Sequence, residues 1–476
     1  MKKQKKGLGA WQLTMLALGT VIGGSFFLGC SVAIHAAGPS VVAGFIFGGV
    51  LVYFILYALS EMTVANPGTG SFRAFASQAF GPGTGFVVGW IYWTGMVLAM
   101  SSEAAAVSTL VRAWFPAAST AWLGGGIIAA VTLLNLLGAS KLSRLESVLA
   151  AVKIFAIAAF IAMAALLIVG LFPGRAAVGL GALKTEALLP GGISGLAGSM
   201  LVVMFTYAGF EIIGLAASET DRPKETIPKA IRYTVVSLVG LYVVFILLLL
   251  PIVPTDEINE NTSPIVLALQ KSGLTWAGTA MNVVLITAIL STMLAAMFAL
   301  GRMMRSLTEE HMAPGWLRDK GDVPYRGILC SGLAMLAALR FGLFFPRVYL
   351  FLISSGGFAL LFSYVVIMAT HIRFRQKNGC PPDGKCQMWG FPYTSLFVLL
   401  SLVAAIASMP FVPGQLSGLT AGACLVAFYA GCYAVVRYAG ERKRSAGPGL
   451  PRFVKTEPGE FSEELDASGR NEDPPG

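Results

Sequence analysis

Apolar runs long enough to cross a bilayer recur along this chain, and that repetition limits its fold more than any other feature. A membrane helix needs roughly 20 predominantly apolar residues, and about twelve segments meet that length. They cover residues 8–35, 39–65, 85–112, 121–140, 145–171, 195–218, 231–253, 276–305, 328–346, 349–371, 393–412 and 416–438. Backbone polar groups at membrane depth must be satisfied within the protein, and these runs are too long for barrel strands. The expected fold class is therefore an all-α integral membrane protein of about twelve helices. Composition agrees: 56% of the 476 residues are hydrophobic and 12% charged, with a mean hydropathy of +0.73. Soluble domains run at about 45–50% apolar and about 25% charged. A water-soluble enzyme, a nuclease and a disordered tail protein are excluded together.

Charge placement orients the spans. With the N-terminus inside and alternation thereafter, 27 of the 34 Lys and Arg residues fall on cytoplasmic segments and six on external ones. The last, Lys153, lies within a span. That asymmetry is the positive-inside pattern for an even number of spans with both ends cytoplasmic. The net charge of +10 thus reflects topology rather than nucleic-acid binding. Residues 1–7 read as a basic cytoplasmic N-terminus. No small-residue cleavage site closes the apolar run behind it, so it is expected to be retained. Residues 8–440 form the membrane domain, with one repeat over 8–171, a second over 195–376, and two further helices over 393–438. The tail, 441–476, lacks an apolar pattern and is expected to be disordered. Within 66–84, Phe72, Phe75 and Phe80 recur at near-helical spacing and predict a short interfacial helix.

Several motifs lack the context their chemistry requires. Gly379-Cys-Pro-Pro-Asp-Gly-Lys-Cys386 approaches a phosphate loop but ends in Cys and follows no strand. Cys380 and Cys386 lack the second ligand pair of a zinc site, and the six cysteines form no disulfide framework. His35, His311 and His371 are scattered. Neither a metal, a cofactor nor a nucleophile–base pair is expected, and the chain does not read as an enzyme.

The first span contains Gly19-Thr-Val-Ile22-Gly23-Gly24-Ser25-Phe-Phe-Leu-Gly29. Two adjacent glycines before a serine disfavour a continuous helix, and a break in lipid persists only where freed backbone groups find partners. Close helix packing by small residues explains the same pair when it is taken alone. The sixth span repeats the feature in Phe205-Thr-Tyr207-Ala208-Gly209-Phe210-Glu211. The two occupy matching places if the first ten spans are two five-helix repeats, and an odd number per repeat inverts the second. Paired, interrupted helices at matching positions of inverted repeats point to a transporter's binding site. Half-helix N-termini offer N–H groups to a carboxylate, and unwound carbonyls receive an ammonium. Such a site suits a zwitterion.

On these residues the chain resembles the amino acid permeases of the amino acid–polyamine–organocation superfamily, most closely the bacterial amino acid transporter branch. The likeness runs to about residue 440. It rests on Gly19 to Gly29 with Ala37-Gly38-Pro39, and on Ser60-Glu61-Met62 through Phe72 with Gly89-Trp90-Ile-Tyr92-Trp93. It rests also on Gly209-Phe-Glu211 with the segment from Ser218 to Ala230. The resemblance implies twelve helices in a five-plus-five inverted repeat, with the first and sixth broken. It implies a substrate carboxylate on the N–H groups of Gly23, Gly24 and Ser25, and an amine at carbonyls near Phe205 and Ala208. Phe205 and Phe210 would serve as lid or side-chain pocket. Ser25 stands where the family usually has Gly, and its side chain would narrow the pocket or add a hydrogen bond.

Three ionisable residues lie inside spans: Glu103, Lys153 and Glu211. Each costs about 2.5–3.5 kcal/mol on insertion scales, so each is a candidate functional group. Lys153 either snorkels to the cytoplasmic edge or couples proton binding to movement of the first helix. The resemblance implies the second, since proton-coupled members carry Lys where sodium-coupled relatives hold the ion. Ser291-Thr292 matches hydroxyls that ligate sodium in such relatives, and the lysine argues against that use here. Glu103 is either a relay for Lys153 or a structural acid. Glu211 holds the break or senses pH, and Glu61 is structural. Ile22, Phe205, Tyr207 and Phe210 favour a neutral side chain. The reading is a secondary transporter in a bacterial cytoplasmic membrane, importing an amino acid with a proton. Sodium coupling, exchange and a non-transporting receptor are the alternatives.

Overall fold

A computed structural model describes residues 9–65, 72–137, 139–211, 213, 220, 222–260, 262–319, 323–380 and 387–445. The basic N-terminus, most of the acidic turn 214–221 and most of the tail lie outside the described residues, so the expectations placed on them are not addressed. Among the described residues all regular structure is helical. In chain order the helices are α1 (Ala10–Val21), α2 (Gly24–Phe27), α3 (Gly29–Ala37), α4 (Val41–Ala65), α5 (Phe72–Phe80) and α6 (Pro82–Arg112). Then come α7 (Thr120–Asn135), α8 (Ala139–Val169), α9 (Gly192–Thr206), α10 (Pro223–Leu249) and α11 (Pro264–Lys271). The remainder are α12 (Thr275–Glu309), α13 (Tyr325–Gly342), α14 (Val348–Asn378), α15 (Tyr393–Ala407) and α16 (Leu416–Ser445).

Eight candidate membrane spans among the described residues are long and apolar enough to cross a bilayer, and three shorter apolar helices (α1, α7 and α9) accompany them. Each expected span has a helix at its place. Two differ in a way that matters: the run over 8–35 is cut into α1, α2 and α3, and α9 stops at Thr206. α6 and α14 form the most extensive helix–helix contact and are largely buried, whereas few residues of α16 over Leu416–Tyr438 are buried. Large apolar side chains stand exposed on the outer helices, among them Trp122, Phe155, Trp276 and Leu333. In water such residues would be a liability, and in a bilayer they face a medium as apolar as themselves.

The expected short helix exists as α5, with two of its three phenylalanines turned inward and Phe80 exposed. Phe72 and Phe75 are buried, and Phe72 meets Tyr92 of α6 edge-on at 4.9 Å. Arg73 is buried too, paired with Glu310 at the end of α12 and donating to Ser306 Oγ at 3.0 Å. α5 therefore ties two spans together. A second buried cluster surrounds Glu61 near the end of α4. Its carboxylate accepts from Arg375 Nε at 2.8 Å and from the backbone N–H groups of Gln387 and Met388 at 2.7 Å. His371 Nε2 lies 2.7 Å away. Cys380, one of six cysteines not expected to form a disulfide framework, is disulfide-bonded, and Arg375 Nη1 lies 3.0 Å from its sulfur. Contacts divide the chain into two compact units, Met1–Ala430 and Gly431–Gly476. All groups discussed below belong to the first.

Candidate functional site

The first span breaks where its glycines stand. α1 ends at Val21, Ile22 and Gly23 are extended, and α2 starts at Gly24. A break of this kind frees carbonyls below and N–H groups above. Both sets are met by charged side chains. Below, Lys153 of α8 donates from Nζ to the Gly19 carbonyl at 2.6 Å and the Ile22 carbonyl at 3.1 Å. Above, Glu103 of α6 accepts the Gly24 N–H on Oε2 and the Ser25 N–H on Oε1, both at 2.8 Å. Lys153 is fully buried and Glu103 is 2% exposed. The polarity follows the helix dipoles: a cation sits at a C-terminal end and an anion at an N-terminal end.

The glycines are needed for close approach. A Cβ on Gly24 would collide with the Glu103 carboxylate, and one on Gly23 would come 2.8 Å from Thr292 Oγ1. Thr292 of α12 donates to the Ala288 carbonyl at 3.0 Å and stands 3.4 Å from the Ile22 carbonyl. The lysine ammonium thus shares Ile22 with one of the hydroxyls singled out in the sequence.

The second break begins where α9 stops. Tyr207 N–H and Ala208 N–H turn back to the carbonyls of Met204 and Phe205 at 3.2 and 3.1 Å, and Gly209 takes a φ of +103°. A side chain at Gly209 would be strained by that φ alone. Glu211 holds the turn. It accepts Gly209 N–H at 3.0 Å, Tyr92 OH at 2.7 Å and Tyr364 OH at 3.3 Å. Gly209 rests against Thr20 and Val21, so the two breaks face each other across the middle of the protein.

The expected site residues are thus brought to one region but given different surroundings. Ile22, Gly23, Gly24 and Ser25 form the first break, and Ala208 and Gly209 face it, half-buried. Phe205 is buried, and Phe210 packs on Tyr364 at 5.1 Å. Tyr207 points away: its hydroxyl donates to the Phe45 carbonyl at 2.9 Å, and its ring packs beside Phe45 and Tyr242. Glu103, Lys153 and Glu211 each contact a break, whereas snorkelling would have taken Lys153 to the membrane edge.

Sequence reasoning missed the aromatic wall. Tyr242 of α10 stacks on Phe26 at 3.9 Å and donates to the Thr206 carbonyl at 3.2 Å. Tyr92 and Tyr364 anchor Glu211. Aromatic residues in apolar spans carry no one-dimensional signal that separates such roles from packing. Tyr349 of α14 was missed as well. Its hydroxyl is buried without a hydrogen-bond partner, beside Gly29 at the start of α3.

A family model described as amino acid permease matches residues 12–440. The γ-aminobutyric acid permease of Bacillus subtilis is 32% identical over 436 residues, covering 89% of this chain and 93% of the relative. A probable GABA permease of Pseudomonas aeruginosa is 33% identical, covering 89% of this chain and 90% of its own length. The aromatic amino acid transport protein AroP of Escherichia coli O6:H1 is 30% identical, covering 86% and 91%. Apolar helices, two facing helix breaks and these likenesses converge, and the chain belongs to the amino acid permease family, as a multi-pass protein of the cell membrane.

Proposed function

We propose that this permease is a secondary active transporter that imports a neutral amino acid with a proton, by alternating access around the two breaks. The spans would form twelve helices, ten of them in two inverted five-helix repeats. The amino acid would lie between Ile22–Ser25 and Phe205–Phe210, carboxylate toward the N–H end of the first break and amine toward carbonyls of the second. Relatives named for γ-aminobutyric acid and for aromatic amino acids make both kinds of substrate reasonable probes, and the buried aromatic wall favours an uncharged side chain.

One observation carries the proton assignment. The ammonium of Lys153 lies against the Gly19 and Ile22 carbonyls, beside Thr292. Carbonyl and hydroxyl oxygens at a helix break are the kind of ligands a sodium ion would use, and here a titratable cation of the protein's own stands among them. Glu211, held by two tyrosines, would keep the second break in shape.

The test is uptake of labelled γ-aminobutyrate and phenylalanine, then of the other amino acids, into proteoliposomes made alkaline inside. Accumulation without sodium that collapses with a protonophore is the expected result. Uptake that requires sodium, or an internal amino acid, would overturn proton symport in favour of sodium coupling or exchange.

A further inference from the structure

The N–H groups assigned to the substrate's carboxylate already hold one. Glu103 spans Gly24 and Ser25 with its two oxygens, each at 2.8 Å. This is the bidentate arrangement a free amino acid's carboxylate would adopt there, and the glycine beneath it has no room for a Cβ. At the other end of the same break an ammonium occupies the carbonyls. The protein's own carboxylate thus occupies the place assigned to the ligand's carboxylate, while Lys153 caps the opposite end of the same break.

We propose that Glu103 is a tethered stand-in for the ligand: an amino acid binds by taking the Gly24 and Ser25 N–H groups from Glu103, which leaves them protonated. The proposal rests on the reading of the first break as the amino acid site. The reason for the proton is electrostatic. Two carboxylates sharing one dehydrated pocket cannot both stay ionised, so one must bind a proton. The charge balance closes: the incoming carboxylate replaces Glu103 on the N–H groups, and a proton from water converts the displaced carboxylate to the neutral acid. Binding and proton uptake then become a single event, whatever Lys153 does later in the cycle.

The surroundings of Glu103 limit what else can titrate with it. Lys153 of α8, Tyr242 of α10 and Tyr349 of α14 are in electrostatic reach, with Cys30 of α3 beside the two tyrosines. α12 presents Ile289 and Thr292 at the same glycines. Lys153 is committed to two carbonyls, and Tyr242 to one. Tyr349 is different. More than nine-tenths buried, it holds a hydroxyl without a hydrogen-bond partner beside Gly29, in the outer half of the first span, where Thr206 at the end of α9 also approaches. Unmet polar capacity at such a place is what an incoming polar ligand would use.

The experiment uses purified full-length protein, with γ-aminobutyrate and phenylalanine as probes. Binding is measured across pH, together with proton uptake in weakly buffered solution containing an indicator dye. Wild type should take up a proton with each amino acid bound, and its Kd should rise about tenfold per pH unit at alkaline pH. Glu103→Gln should bind without proton uptake, with a pH-independent Kd below that of wild type at alkaline pH. Should that variant fail to fold, Glu103→Asp keeps the acid and shortens its reach. It should retain the proton uptake and bind more tightly than wild type. Binding by wild type without proton uptake, or an unchanged pH slope in folded Glu103→Gln, would overturn the stand-in role and leave the amino acid site intact. No binding of any amino acid by either protein would overturn the site itself and the proposal with it.

Discussion

At the residue scale, the most informative group is Lys153. A lysine in an apolar helix reads from sequence as a cost that function or snorkelling must explain, and the sequence alone left both open. Its two carbonyl partners, Gly19 and Ile22, lie more than 130 positions away in the chain. Their availability depends on the break, because in an intact helix those oxygens would accept from residues one turn on. Lys153→Ala is expected to remove the ammonium from the Gly19 carbonyl, leave Ile22 to Thr292, and abolish accumulation against a gradient, while facilitated exchange of amino acid persists. Measuring both modes in proteoliposomes checks this. Full accumulation with an unchanged pH profile would remove Lys153 from the coupling scheme. The glycine doublet was legible as a possible break, but its partners were not: nothing in the spacing of Glu103 from Gly24 distinguishes a carboxylate that caps them from one buried elsewhere.

At the element scale, short segments outside the long spans set the geometry. α5 packs Phe72 and Phe75 inward, leaves Phe80 exposed and buries Arg73 against Glu310, so a helix whose spacing suggested the membrane surface also joins α6 to α12. The Glu61 cluster works similarly. It draws α4, α14 and the segment before α15 together through one carboxylate that accepts side-chain and backbone donors at once. The sequence reading of Glu61 as structural fits this placement. Removing one partner of a buried, hydrogen-bonded pair costs about 3–5 kcal/mol. Arg375→Ala should therefore lower the thermal unfolding midpoint of the detergent-purified protein markedly. Its affinity for amino acid should change little, since the cluster contacts neither break. A variant as stable as wild type would show that the remaining donors suffice.

At the scale of the whole molecule, the distribution of charge and the burial of the helices describe one arrangement. α6 and α14 are enclosed, and the outer helices expose Trp, Phe and Leu, as a bundle in lipid requires. The asymmetry of Lys and Arg predicts both ends inside. In a variant whose own cysteines are replaced, Lys184→Cys should react with a membrane-impermeant maleimide on intact cells. Lys224→Cys should react only after permeabilisation. The reverse pattern would invert the topology and, with it, the direction in which Lys153 meets the proton gradient.

The sequence by itself determined the solvent of this protein, its helical class, the place of its breaks and its family. Each rests on properties carried locally: hydropathy over a span, charge on a loop, glycine in a helix. Only the tertiary structure decided what meets the breaks. At the first break the freed N–H groups and carbonyls are satisfied by whichever side chains the bundle brings alongside. Those are Glu103 from α6 and Lys153 from α8; at the second break Glu211 caps Gly209 from two residues on, and the bundle supplies Tyr92 and Tyr364 to hold that carboxylate. Which charge caps which end follows from the helix dipoles. Which residues supply it follows from packing, and packing is not written in any one segment.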